Sequence, residues 1–119
     1  MLGWHWMMDA RECDAPDLAD SARVAELLRR VPEVLGLTRV GDPQVFEHRD
    51  PSSGEVTLAG VVLIAESHFS LHVRPAQKFV HADLFSCARF DPGAALTLLQ
   101  QSFGFQKHAE RMITRGELE

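Results

Sequence analysis

The run Val56-Thr57-Leu58-Ala59-Gly60-Val61-Val62-Leu63-Ile64-Ala65-Glu66-Ser67-His68-Phe69-Ser70-Leu71-His72-Val73-Arg74-Pro75 decides the fold. Val56 to Ala65 is β-branched, apolar and free of charge, which reads as a strand covered on both faces in its second half. After Glu66 the pattern changes to strict alternation. Phe69, Leu71 and Val73 point one way, and His68, Ser70, His72 and Arg74 point the other, the period of a half-buried strand. Pro75 has no backbone N–H and ends it.

The flanks extend this sheet. Upstream, Trp4 to Met8 reads as a strand and Cys13 to Asp17 as a turn. A helix follows over Asp17–Val31, with Pro16 and Asp17 at its start and a stop or kink near Pro32. Its apolar stripe is Leu18, Ala22, Ala25 and Leu28, with Arg23, Glu26 and Arg29 on the other side. Leu37 to Phe46 reads as a strand, and Glu47 to Gly54 as a polar loop. Downstream, Phe79 to Phe85 is a further strand. Asp91 is an N-cap and Pro92 the first residue of a second helix, with Ala95, Leu96, Leu99 and Phe103 as its stripe. Gly104 stops that helix, and Gln106 to Thr114 is the last strand. The order β-α-β-β-β-β-α-β predicts an α+β fold, a two-layer sandwich with an antiparallel sheet and two helices on one face. The other sheet face then needs cover, and a dimer would supply it.

Composition bounds the function. A chain of 119 residues is one domain with a modest core. A net charge of −5, with no cluster of Lys or Arg, argues against nucleic-acid binding. No apolar run reaches the ~18 residues of a membrane span, and Met1 to Met8 does not read as a signal peptide. Cys13 and Cys87 are too few for a disulfide framework, so a cytoplasmic, reducing setting is expected. The chain has little material for a deep cofactor pocket. An enzyme of this size would carry a compact reactive group or borrow a wall from a second subunit.

Chemical groups are densest from Glu66 to His72, with Asp83 and Cys87 downstream. A Ser and a His adjacent on a strand face opposite ways, so Ser67 and His68 alone do not make a catalytic pair. Gly-x-Ser-x-Gly is absent. The spacing of His68, His72 and His81 matches no metal motif, and no metal is expected.

Three segments together carry a resemblance. Leu2-Gly3-Trp4-His5 with Asp9 and Cys13-Asp14, then Gly60 through His68, then Asp83-Leu84-Phe85-Ser86-Cys87 ahead of Asp91-Pro92, resemble the S-adenosylmethionine decarboxylase proenzymes of bacteria and archaea. The resemblance implies a pyruvoyl-dependent decarboxylase of polyamine (spermidine) synthesis that cuts itself between Glu66 and Ser67. Residues 1–66 would become the β chain and residues 67–119 the α chain, with Ser67 converted to the pyruvoyl cofactor that takes the substrate amine as a Schiff base. It implies His72 as the processing base and Cys87 as the proton donor, and it leaves the role of the Glu66 side chain open. It also implies self-association, a dimer of processed heterodimers with the active site near the subunit boundary.

The sequence also departs from that family. Val73-Arg74-Pro75-Ala76 replaces the usual Thr-Trp-Pro-Glu, so a stacking ring and a sugar-binding carboxylate are missing. Ala59 stands where a serine usually helps processing. The chemistry is then kept while Arg74 becomes a candidate substrate-binding residue, and L-arginine or L-ornithine becomes an alternative substrate. A non-catalytic regulatory paralogue and a His-rich metal-binding domain are further alternatives.

Overall fold

The computed structural model describes residues 2–116. Six strands form one antiparallel sheet in the order β2-β3-β4-β5-β1-β6. They are β1 (Gly3–Cys13), β2 (Gln44–Arg49), β3 (Val56–Ile64), β4 (Ser67–Arg74), β5 (Phe79–Ser86) and β6 (Phe105–Arg115). The two helices are α1 (Ser21–Val34) and α2 (Pro92–Phe103). The predicted element order and fold class both hold.

Side-chain parity sorts the sheet into two faces. Trp6, Met8 and Ala10 of β1, Leu58, Val62 and Ile64 of β3, Phe69, Leu71 and Val73 of β4, and Val80, Ala82 and Leu84 of β5 are buried. They form one core with Val24, Leu28 and Val31 of α1 and Ala95, Leu99 and Phe103 of α2. Each Val, Leu, Ile, Phe or Met among them contributes roughly 1.5–3 kcal/mol by leaving water. Gly60 lets α1 lie close on β3: a Cβ there would meet Leu28 Cδ1 at 2.7 Å and Val24 Cγ1 at 3.0 Å.

Three expectations are corrected. The first helix starts later, because Asp20, not Asp17, accepts the N–H groups of Ala22 and Arg23. Asp17 takes a left-handed φ of 54° in the preceding turn. The helix also runs through Pro32 to Val34. So near the C-terminus the ring forfeits one ladder bond, while its buried surface joins the core. The buried stripe is accordingly Val24, Leu27, Leu28, Val31 and Pro32 rather than one through Ala22 and Ala25.

The strand expected over Leu37–Phe46 lies at Gln44–Arg49 instead. Gly41 at φ 109° and Pro43, which cannot donate, break the earlier stretch, leaving a single bridge between Arg39 and Ile64. Finally, β3 is covered on one face only. Leu63 is 60% exposed, because no helix lies on its side of the sheet.

Candidate active site

The hairpin between β3 and β4 turns at Ala65-Glu66, so the expected cleavage bond sits at a strand junction. Backbone bonds pin it from both sides. Ala65 N donates to Thr38 O at 2.7 Å, and Val40 N donates to Leu63 O at 2.8 Å. The Glu66 carboxylate accepts from Thr38 N at 3.0 Å, so its side chain ties the turn to the loop before β2. The Glu66 carbonyl accepts from the Cys87 N–H at 3.0 Å. That donor comes from the bend after β5, where the Ser86 hydroxyl donates to Ala88 O at 2.7 Å and shapes the chain.

Ser67 has φ 155°, a conformation an L side chain seldom adopts outside a constrained site. Such strain costs on the order of 1–3 kcal/mol and is relieved if the peptide rearranges. The Ser67 Oγ and His68 Nδ1 are 2.9 Å apart. Adjacent residues on a regular strand would not meet; the unusual φ brings them together. This contact is what sequence reasoning missed, and no residue type signals it.

His72 sits elsewhere. It lies five residues along β4 from Ser67, about 16 Å away. Its register partners are Ala59 on β3 and His81 on β5. The structure therefore brings Glu66, Ser67, His68 and Cys87 together and leaves His72 apart from them within one chain. Cys87 is exposed and Cys13 is buried. Arg74 is exposed at the end of β4 beside Phe79.

Around His72 the helix-free face forms a concavity of about 280 Å³, lined by Phe46, Ala59, Val61, Ser70, His72, His81 and Asp83 among others. Desolvation, with His81 and then Arg74 adding repulsion, lowers the His72 pKa below the usual imidazole range. That favours the neutral, proton-accepting form. Two imidazole–carboxylate contacts flank it: His81 Nδ1 with Asp9 Oδ1 at 2.7 Å, and His5 Nε2 with Asp83 Oδ1 at 3.2 Å. Among the described residues, no three His, Cys, Asp or Glu side chains converge as metal ligands. Among the described residues no helix is long and apolar enough to cross a membrane.

Comparisons with known proteins bear on the family and the fold. A Clostridium botulinum (Loch Maree) S-adenosylmethionine decarboxylase proenzyme is 25% identical over 118 residues, 98% of this chain and 97% of that one. The proenzyme of Prochlorococcus marinus is 29% identical over 97% of this chain and 88% of its own. That of Pyrococcus furiosus is 27% identical over 86% of this chain and 70% of its own. The crystal structure of the Aquifex aeolicus adenosylmethionine decarboxylase superposes with a TM-score of 0.69 at 22% identity, covering 99% of this chain and 93% of that one, which supports the fold. The family profile described as S-adenosylmethionine decarboxylase matches residues 4–116, so the chain belongs to the S-adenosylmethionine decarboxylase family.

Proposed function

We propose that this chain is the proenzyme of a pyruvoyl-dependent carboxy-lyase of the S-adenosylmethionine decarboxylase type, acting in cytoplasmic polyamine synthesis after cutting itself at Glu66–Ser67. The observation that carries the reading is the state of that one peptide bond. Its carbonyl accepts the Cys87 N–H at 3.0 Å, and its serine sits at φ 155°.

The proton inventory follows from those positions. A base takes the Ser67 hydroxyl proton, Oγ bonds to the Glu66 carbonyl carbon, and the C–N bond breaks as the nitrogen gains a proton, leaving an ester. The Cys87 N–H faces the oxygen on which negative charge develops, as an oxyanion donor does. Removal of the Ser67 α-proton then breaks the Cβ–O bond, frees the Glu66 carboxylate and separates fragments 1–66 and 67–119. The remaining enamine becomes an imine, and water displaces ammonia from it to leave the pyruvoyl group. Strain at Ser67 favours the first step, because the ester no longer holds that φ.

The residues present fit a pyruvoyl group at position 67. It supplies a carbonyl that accepts the electron pair released when carbon dioxide leaves a bound amino acid. Exposed Cys87, whose backbone N–H donates to the Glu66 carbonyl, is the proposed proton donor to the substrate.

His68 orients the Ser67 hydroxyl from within the chain. We assign the base to His72 of a second copy. The site is incomplete without it, and the helix-free face leaves Phe46 at 62%, Leu63 at 60% and Ile113 at 40% exposure for a second copy to cover. S-adenosylmethionine is the first substrate to offer. Exposed Arg74, in no ion pair among the described residues, favours testing L-arginine and L-ornithine beside it.

Denaturing mass spectrometry tests the proposal. Two pieces are expected, one ending in Glu66 and one beginning with a blocked residue 67. A single intact species of 13.3 kDa after incubation overturns it. Carbon dioxide release from each of the three substrates then settles the class.

A further inference from the structure

The Asp9–His81 contact belongs to no step described so far. Asp9, His81, His72 and Ala59 form one register row across β1, β5, β4 and β3, all facing the helix-free side. Asp9 Oδ1 meets His81 Nδ1 at 2.7 Å. A hydrogen bond from imidazole to carboxylate needs the hydrogen on Nδ1, so Asp9 fixes which nitrogen of His81 carries it. Phe79 stacks on the same ring, with centroids 4.7 Å apart and planes 30° apart. His81 is thus held by its edge and by its face.

The held ring then confronts His72, with centroids 5.9 Å apart. Across the row on the other side His72 has only the methyl of Ala59. The charged and titratable groups around it are Arg74 from β4, His81 and Asp83 from β5, Asp9 from β1 and His48 on β2; β3 offers none on this face. His81 is the group adjacent in its own row, and Asp9 anchors it.

Resting on the proposed role of His72 as the processing base, we infer that Asp9 and His81 are a positioning pair for His72. The carboxylate anchors His81, and the anchored imidazole keeps His72 neutral and aimed into the concavity, ready to accept a proton. A second positive charge about 6 Å from the first is opposed by about 0.7 kcal/mol at the dielectric of water. That equals about half a pH unit, or a threefold change in the neutral fraction below the midpoint. The lowered pKa of His72, to which His81 contributes, agrees with this.

The experiment is the pH profile of self-cleavage in the full chain, followed by denaturing electrophoresis from freshly refolded proenzyme. His81→Phe keeps a ring against Phe79 but removes the imidazole. It is expected to move the acid-side midpoint upward by about half a unit, giving cleavage about threefold slower near pH 5.5 and unchanged near pH 8.5. Asp9→Asn is expected to shift the midpoint in the same direction and to add nothing on top of His81→Phe, because it acts through His81. Superimposable profiles, or an equal slowing at every pH, overturn the inference. His72→Ala separates the two levels. If it abolishes cleavage while the His81→Phe and Asp9→Asn profiles match the wild type, only the positioning pair fails. Wild-type cleavage by His72→Ala removes both the pair and the base assignment. All three positions lie on the helix-free face, outside the core, so the fold is retained.

Discussion

The two faces of the sheet are made from the same strands and have opposite contents. The helix-covered face carries Trp6, Met8, Leu58, Val62, Phe69, Leu71, Val80 and Leu84, and Ser86 is its one buried polar side chain. The other face carries His5, Asp9, His68, Ser70, His72, His81 and Asp83, interleaved with Phe46, Leu63, Phe85 and Ile113. A face that only had to stay in water would not keep exposed Phe46 and Leu63. A face that only had to pack would not keep five imidazoles, those of His5, His48, His68, His72 and His81. The mixture suits the proposed surface, an interface and a reaction site in one, by which a chain of 119 residues would enclose chemistry without a deep pocket of its own.

The sharpest way to break this division is at its edge. Ser67→Ala removes the only atom that can form the ester. Cleavage is expected to be lost completely, with one chain of 13.3 kDa and an unchanged melting temperature. Cleavage at the same bond in this variant would refute the serine mechanism.

A second, smaller effect separates the faces by stability. Phe69 is fully buried, and Phe69→Ala is expected to cost about 3–5 kcal/mol in denaturant unfolding of the Ser67→Ala chain. Leu63→Ala, on the other face of the neighbouring strand, should change unfolding of the dissociated chain by less than about 0.5 kcal/mol. It should weaken self-association measured by sedimentation. Equal costs at the two positions would mean that the helix-free face is not free.

A third test addresses the division of labour between copies. Chains carrying Ser67→Ala and chains carrying His72→Ala are each expected to stay uncut alone. Refolded together, the His72→Ala chain should be cut by the His72 of its partner, up to roughly the half of it that random pairing places in mixed dimers. No cleavage in the mixture would place the base within one chain, where His68 is the imidazole at 2.9 Å from Ser67 Oγ.

These contrasts also show what the sequence made legible. Alternation from Phe69 to Arg74 assigned both faces of β4 correctly, because parity on a strand depends only on residue order. The second helix was readable from Asp91, Pro92 and Gly104, since N-cap, fixed φ and left-handed C-cap are local requirements, and Gly104 has φ 63°. The first helix misled because Asp17 and Asp20 are equally good caps in sequence. Only the turn geometry, with Asp20 N bonded to Asp17 O, chooses between them. At the site, residue types pointed to Ser67, His72 and Cys87. The Cys87 N–H on the Glu66 carbonyl is a backbone contact between residues 21 positions apart, and residue type says nothing about it. The separation of His72 from Ser67 was readable from the strand itself, since five residues at about 3.3 Å each cannot be neighbours.

The cysteines give the smallest expected effect and compare the two environments within one residue type. Cys13 is buried at the end of β1; desolvation, aided by the charge of Asp14, raises its thiol pKa to about 11. Cys87 is exposed beside the proposed cleavage bond. In the native protein near pH 8, a thiolate-selective alkylating reagent is expected to modify Cys87 and spare Cys13, because the thiolate is the reactive form. The same shift has a stability consequence. The unfolded thiol ionises near the ordinary thiol value of 9.0, whereas the folded one holds its proton to about 11. The unfolded state therefore binds fewer protons in that window, so stability falls as pH rises from about 9 to about 11 and is unaffected below it. Cys13→Ala should flatten that alkaline decline in a denaturant titration, whereas Cys87→Ala should leave it in place. A decline unchanged by Cys13→Ala would mean that another group sets the alkaline limit.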